Sequence, residues 1–255
     1  MLFRSDLEKI MEKDPKKATI ILQGEDYKRN SRNVVVEIKG TTHPDEIIAF
    51  SAHYDSVSYS KGAYDNGTGA ITLLQLFHYY MNHKPDRTLK FVWCGSEEMG
   101  LLGSKAYVRD HKEEVEKNIV LNINIDMVAV TLGSDIARVT GDNSIVDYIK
   151  YTAKEFGFPI SVKQGVYSSD STPFADNGVP SMSFARIAPM GGATIHSHND
   201  VIERLSEPNY IRTCDFIIKL SERWINAKIF PIEKVIPQNV KDDIDKYYQR
   251  KTENK

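Results

Sequence analysis

Short runs of branched-aliphatic residues alternate along this chain with segments of helical period, and acids or histidines stand at the ends of several of these runs. The extended runs are ATIIL (18–22), NVVVEIKG (33–40), EIIAFSAH (46–53), TLKFVWC (88–94), IVLNINIDMV (119–128), DIARVTG (135–141) and VPSMSFA (179–185). Between them, Ile71, Leu74, Phe77, Tyr80 and Met81 recur at helical spacing, and residues 1–14, 144–157 and 210–229 also read as helices. EEMGLLGSKAYV, from Glu97, is predicted to start another. Strands alternating with helices predict an α/β three-layer sandwich, with a mixed, mostly parallel central sheet flanked by helices. The turn residues His43, Pro44 and Asp45 between the second and third runs predict a hairpin, hence antiparallel strands on one side. A chain of 255 residues suits a single domain. Its first 28 residues would form an N-terminal helix and strand, and residues 230–255 a charged tail.

Composition removes some partners. Net charge is −2 with 27% charged residues, which gives no electrostatic reason to expect nucleic acid or an anionic membrane surface. No apolar run reaches membrane-spanning length. The amino terminus lacks a signal-peptide core. The chain is therefore cytoplasmic or, if an export segment has been removed, extracellular or of the cell envelope. Cys94 and Cys214 read as small buried apolar groups, with a disulfide left open. Nothing in the pattern sets an oligomeric state.

In open α/β sheets, ligands collect beyond the carboxyl ends of the strands. His53 ends one run, Glu97 and Glu98 follow another, and Asp126 ends a third, on the same side as Asn122 and Asn124. Asp65 lies in the turn AYDNGTG, and His196 and His198 lie in ATIHSHND after the last run. Each alone has an ordinary explanation: a hydrogen-bonded surface histidine, a turn aspartate, acids at a helix start. Their convergence on one rim is the argument. Imidazole and carboxylate together suit zinc, and two zinc ions close together need a shared carboxylate. Asp55, two residues after His53, is the natural carboxylate to orient its other ring nitrogen. His43, His78, His83 and His111 read as structural or solvated.

The blocks RNSRNVVVEIKGTTHPDEIIAFSAHYDSV, SKGAYDNGTGAITLL, FVWCGSEEMGLLGSKAYV, NINIDMV, SSDSTPFADNGVPSMSF and IHSHNDVIERL resemble, in order, those of the M28 zinc peptidase family. They span about residues 29–205. The resemblance implies that His53, Asp65 and Asp126 bind one zinc, and Asp65, Glu98 and His196 the other. It makes Glu97 the general base and favours His196 over His198, because the family's ligand precedes an aspartate, here Asp200, by four residues. It also implies a cis peptide after Asp65. Where some family aminopeptidases place an oxyanion-stabilising tyrosine, this chain has Ser168, with Tyr167 one place earlier as a substitute. Many relatives carry a protease-associated domain ahead of the catalytic one, and this chain begins near where such a domain would end.

The function implied is a two-zinc aminopeptidase acting on peptides. A carboxypeptidase would need a cation for the substrate's carboxylate, for which Arg186 is the candidate. Glutaminyl-cyclase-like chemistry on the same scaffold, and a binding domain without catalysis, are the other readings. Met190 and Phe174 are candidate pocket liners.

Overall fold

The computed structural model describes residues 4–17, 19, 21, 23–25, 28–189, 192 and 195–250. The chain divides into two compact units, Met1–Asn30 and Ser31–Lys255. In the first, α1 spans Arg4–Met11. The strand expected at 18–22 falls largely outside the described residues, and Thr19 and Ile21 carry no strand.

The second unit holds β1 (Val34–Ile38), β2 (His43–His53), α2 (Thr68–Asn82), β3 (Arg87–Cys94), α3 (Leu102–Asp110), α4 (Lys112–Lys117) and β4 (Ile119–Ile125). Then come β5 (Ser134–Thr140), α5 (Asn143–Glu155), β6 (Ile160–Gln164), α6 (Ser171–Asp176), β7 (Ser181–Ile187), α7 (Glu207–Ile225) and α8 (Gln238–Tyr247). The strands form one seven-stranded sheet, ordered β1-β3-β2-β4-β7-β5-β6. Pairs β2–β3, β2–β4, β4–β7 and β5–β6 are parallel, and β1–β3 and β5–β7 antiparallel.

The expected hairpin is corrected. β1 pairs with β3, which lies between it and β2. The connection from β1 to β2 instead crosses the start of β3. Thr41 and Thr42 donate backbone hydrogen bonds to Pro85 and Asp86. A Cβ on Gly40 would lie 2.5 Å from the backbone of Arg87 and Thr88, so only glycine allows this approach. β1 is half-exposed and suits an edge, whereas β2 and β3 are buried along most of their length.

Because side chains alternate across a strand, the same strands build two unlike faces. On one, Ile48, Phe50, Phe91, Leu121, Ile123, Met182 and Phe184 pack with residues of α2, α5 and α7 in the main core. Each fully buried side chain of this kind contributes about 1.5–3 kcal/mol. On the other face stand Ser51, Asn122, Asn124 and Ser183, all buried. Ser51 donates to Asn124 Oδ1 (2.9 Å), Asn122 donates to Ser51 (3.0 Å) and Asn124 donates to Ser183 (3.1 Å). His53 and Asp126 continue this second face.

The fully buried Arg87 closes the far end. Its Nε donates to Glu46 at 2.7 Å, and one terminal nitrogen donates to the carbonyls of Trp224, Ile225 and Ala227 at the end of α7. A cation there satisfies carbonyls that the helix leaves unpaired.

Candidate metal centre

β2, β3, β4 and β7 are mutually parallel, so their carboxyl ends share one rim. His53 is the last residue of β2, Asp126 follows β4, and Glu97 and Glu98 lie just beyond β3. Contrary to expectation, the two glutamates precede α3 rather than start it. Gly100 (φ 99°) and Leu101 (φ 59°) turn the chain through the left-handed region, and the helix begins only at Leu102. Asp65 sits in the irregular turn Ala63–Gly67 ahead of α2. The peptide after it is cis.

The side chains gather into two groups able to hold a metal ion: His53, Asp65 and Asp126, and Asp65, Glu98 and His196. His53 Nε2 lies 3.3 Å from Asp65 Oδ1 and 3.4 Å from Asp126 Oδ1. His196 Nε2 lies 3.2 Å from Asp65 Oδ2 and 2.8 Å from Glu98 Oε2. Asp65 thus gives one oxygen to each group. Glu97 belongs to neither, and its Oε2 stands 3.9 Å from His53 Nε2. His198 is exposed and enters neither group among the described residues.

Other residues hold this arrangement in place. The His53 Nδ1 contact is the backbone carbonyl of Asp55 at 3.1 Å, while the Asp55 carboxylate is 3.7 Å away. That carboxylate instead accepts the backbone N–H groups of Glu97 (3.0 Å) and Glu98 (3.2 Å), fixing the turn that presents them. The buried Asp200, which the sequence offered only as a landmark, accepts the N–H groups of Tyr64 (2.6 Å) and Asp65 (3.0 Å). Asn66 donates to the Ile125 carbonyl and accepts from Gly69 and Met127, tying the Asp65 turn to the end of β4. A Cβ on Gly69 would lie 2.4 Å from the Ile125 carbonyl, so this junction needs glycine.

The donor set fits a pair of zinc ions. Among the described residues nothing donates a hydrogen bond to the buried Glu98 Oε1 and Asp126 Oδ1, which is costly for carboxylate oxygens unless a cation meets them. Burial alone would lower the His53 imidazole, but Asp126, Asp55 and Asp65 outweigh it and raise it far above its ordinary value. The cluster calls for positive charge. Burial, followed by Asp170, Asp126 and Glu98 against the opposing effect of His53, pushes the Glu97 carboxyl up to about 8. Asp170 is itself raised to about 6, chiefly by burial. It accepts from Ser104 at 2.5 Å through one oxygen, and its other oxygen has no hydrogen-bond partner among the described residues.

The groups open into a cavity of about 290 Å³ also lined by Met127, Ile195, Ser168 and Tyr247. Tyr167 is half-buried and is not among its lining residues. Burial, then the charge of Asp126, raises its phenol far above the ordinary value. Arg186 is buried and committed elsewhere, donating to Asp135 at 2.6 Å and to the Val130 carbonyl at 2.9 Å. Phe174 is core, packed near Tyr107. Met190 lies outside the described residues. Sequence reasoning missed Tyr247, on a helix far along the chain from every motif.

Comparison with known proteins gives a consistent picture. The chain is 34% identical over 201 residues to aminopeptidase YwaD of Bacillus subtilis, covering 74% of this chain and 44% of that one. It is 30% identical over 184 residues to a vacuolar membrane protease of Saccharomyces cerevisiae, covering 69% of this chain and 18% of the protease. It therefore spans less than half the length of these relatives. Among solved structures, BSAP, a zinc aminopeptidase from Bacillus subtilis, superposes with a TM-score of 0.69 at 27% identity, covering 82% of this chain and 53% of that one. A glutaminyl cyclase from an Acidobacteriales bacterium shares the fold at 20% identity, with a TM-score of 0.66, covering 77% of this chain and 74% of its own. The model of peptidase family M28 matches residues 33–221, well over half of the chain and the whole stretch that carries both groups of ligands. The chain belongs to peptidase family M28.

Proposed function

We propose that this protein is a zinc-dependent aminopeptidase that hydrolyses the N-terminal bond of peptides, with Glu97 as general base. The observation that carries the reading is the division of the Asp65 oxygens between two mixed histidine and carboxylate groups. His53, Asp65 and Asp126 would hold one zinc, and Asp65, Glu98 and His196 the other. Bound there, the pair would supply Lewis acidity toward a water molecule and the scissile carbonyl.

The chain's own residues then do the following. Asp55 holds the backbone of Glu97 and Glu98, so base and ligand are presented together. Glu97 accepts the proton of the attacking water and passes it to the leaving amine nitrogen. Burial and neighbouring carboxylates push the Glu97 carboxyl up to about 8, and two dications beside it would bring it down into the range of a base at neutral pH. Asp65, Glu98, Asp126 and Glu97 together offset the charge of the two ions.

The cavity also favours one end of a peptide. Among the described residues its lining contains no lysine or arginine, and Arg186 is held by Asp135. With no side-chain cation in the described lining to pair with a terminal carboxylate, the cavity disfavours the carboxyl end of a peptide. The decisive experiment is zinc stoichiometry measured beside hydrolysis of aminoacyl p-nitroanilides and N-blocked dipeptides. The expected result is two zinc ions per chain and cleavage of the unblocked compounds alone. One bound metal with cyclase activity on N-terminal glutamine, or selective cleavage of the blocked dipeptides, would replace this reading. Full zinc loading without turnover would leave a binding domain.

A further inference from the structure

The cavity beside the two groups of ligands is short of hydrogen-bond donors. Among its lining side chains Asp65, Glu97, Glu98 and Asp126 are acceptors when ionised, and His53 and His196 face the metal positions. A peptide brings carbonyl oxygens that need donors. Among the described residues the neutral hydroxyls in the lining are those of Ser168 and Tyr247, 2.8 Å apart. Two hydroxyls that share one hydrogen bond leave one O–H hydrogen over, free to turn toward the cavity that both residues line.

Tyr247 is the last residue of α8, beyond residue 221, where the family match ends. The helix is seated to deliver it. Val240 and Ile244 are buried with Ala175 of α6. Just past the helix, Arg250 grips both oxygens of Asp176 at 2.7 and 2.6 Å and lies over the Tyr248 ring. Lys105 stacks on the same ring and donates to the Gly100 carbonyl at 3.0 Å, and Gly100 itself lines the cavity. The end of α8 is thus tied to the turn that carries Glu97 and Glu98.

We propose that Tyr247, held by Ser168, donates a hydrogen bond to the scissile carbonyl oxygen as negative charge builds on it. The C-terminal helix is then part of the catalytic apparatus of this chain. The inference rests on the peptidase reading above. A donor aimed at developing charge acts on kcat, whereas one that merely holds the bound substrate acts on KM.

The test uses the full chain loaded with zinc and an aminoacyl p-nitroanilide as substrate. Tyr247→Phe keeps the ring that meets Tyr248 and removes only the hydroxyl. It should lower kcat about 10²-fold, the cost of losing one such donor, with KM, zinc stoichiometry and melting temperature unchanged. Ser168→Ala should give a smaller loss of the same kind, and it carries the test if Tyr247→Phe fails to fold. A kcat within twofold of an active wild type, or a rise in KM alone, overturns the assignment and leaves the peptidase reading intact. A wild type inactive on every unblocked substrate overturns both.

Discussion

Alternate residues of the same strands build both faces of the central sheet, and only one of the two faces carries the polar row that leads to the site. On β2, Ile48, Phe50 and Ala52 enter the apolar core, while Ser51 and His53 point the other way. On β4, Leu121, Ile123 and Ile125 face the core and Asn122, Asn124 and Asp126 the opposite side. One face is hydrocarbon under three helices. The other joins a smaller apolar cluster, with Ala49, Val92 and Cys94 against Tyr107, Val108 and Phe174, to a hydrogen-bonded row of hydroxyls and amides that ends in carboxylates and imidazole. The comparison teaches that stability and chemistry are divided across one layer of backbone. Mutations should therefore separate them.

The largest separation is expected at Glu97. It contacts neither the apolar core nor the hydroxyl and amide row, so Glu97→Gln should leave folding and zinc binding alone. Turnover should fall about 10³-fold, within the range for a lost general base. Steady-state kinetics beside calorimetry and a zinc assay make the check. If melting changes as much as activity, the faces are not separable.

Phe91 is the mirror experiment. It is fully buried on β3, stacks on Phe50 and meets Phe77 edge-on. Phe91→Ala should cost about 3–5 kcal/mol of stability. Below the lowered unfolding midpoint, kcat per folded molecule should stay near the wild-type value. A collapse of kcat in the folded protein would show that the core sets the geometry of the site.

These contrasts follow the line between what the sequence discloses and what it conceals. Alternation in VLNINID assigns Asn122, Asn124 and Asp126 to one side, and strand ends followed by acids announce the rim. Both are local patterns, so they survive in a string of letters. The pairing of β1 with β3 is not local: it depends on Gly40 passing over Arg87 and Thr88, and no periodicity encodes that crossing. Nor did the residue type show that the Asp55 carboxylate would serve the Glu97 turn while its carbonyl served His53. β6 is short and only partly buried, which left no continuous apolar run to mark it. Tyr247 was invisible for a similar reason, since a helix reaching the site from the end of the chain adds a residue without adding a motif.

A smaller effect should come from the polar row itself. Asn124 accepts from Ser51 and donates to Ser183 with no access to water. Asn124→Ala leaves the buried Ser51 hydroxyl without its acceptor and takes one donor from Ser183, which keeps Ser169 and Ser171, and the cost should be about 1–3 kcal/mol. Because Asp126 lies two residues on, zinc affinity should weaken as well, a change that Phe91→Ala should not produce. Zinc titration of the two variants, with denaturant unfolding of each, tests the asymmetry. Equal weakening would mean that the faces communicate.

The cysteines allow the smallest and most local test, because each face holds one. Cys214 of α7 belongs to the apolar core and Cys94, at the end of β3, to the opposite side, and both are free. Burial raises the Cys214 thiol to about 12, and burial, then Asp170, holds Cys94 well above its ordinary value. The thiolate is the reactive form, so a raised thiol is less ionised at pH 8 than an exposed one, and alkylation should be slow in the native protein. Labelling then reports opening. Zinc held at the proposed site would stabilise the folded protein by mass action. If the chemical face opens by itself, zinc slows labelling of Cys94 more than that of Cys214, and this is the result expected from time-resolved mass spectrometry of alkylated protein. Equal slowing at both would mean that the sheet opens only as a whole. The division between the faces would then hold for chemistry and not for local stability.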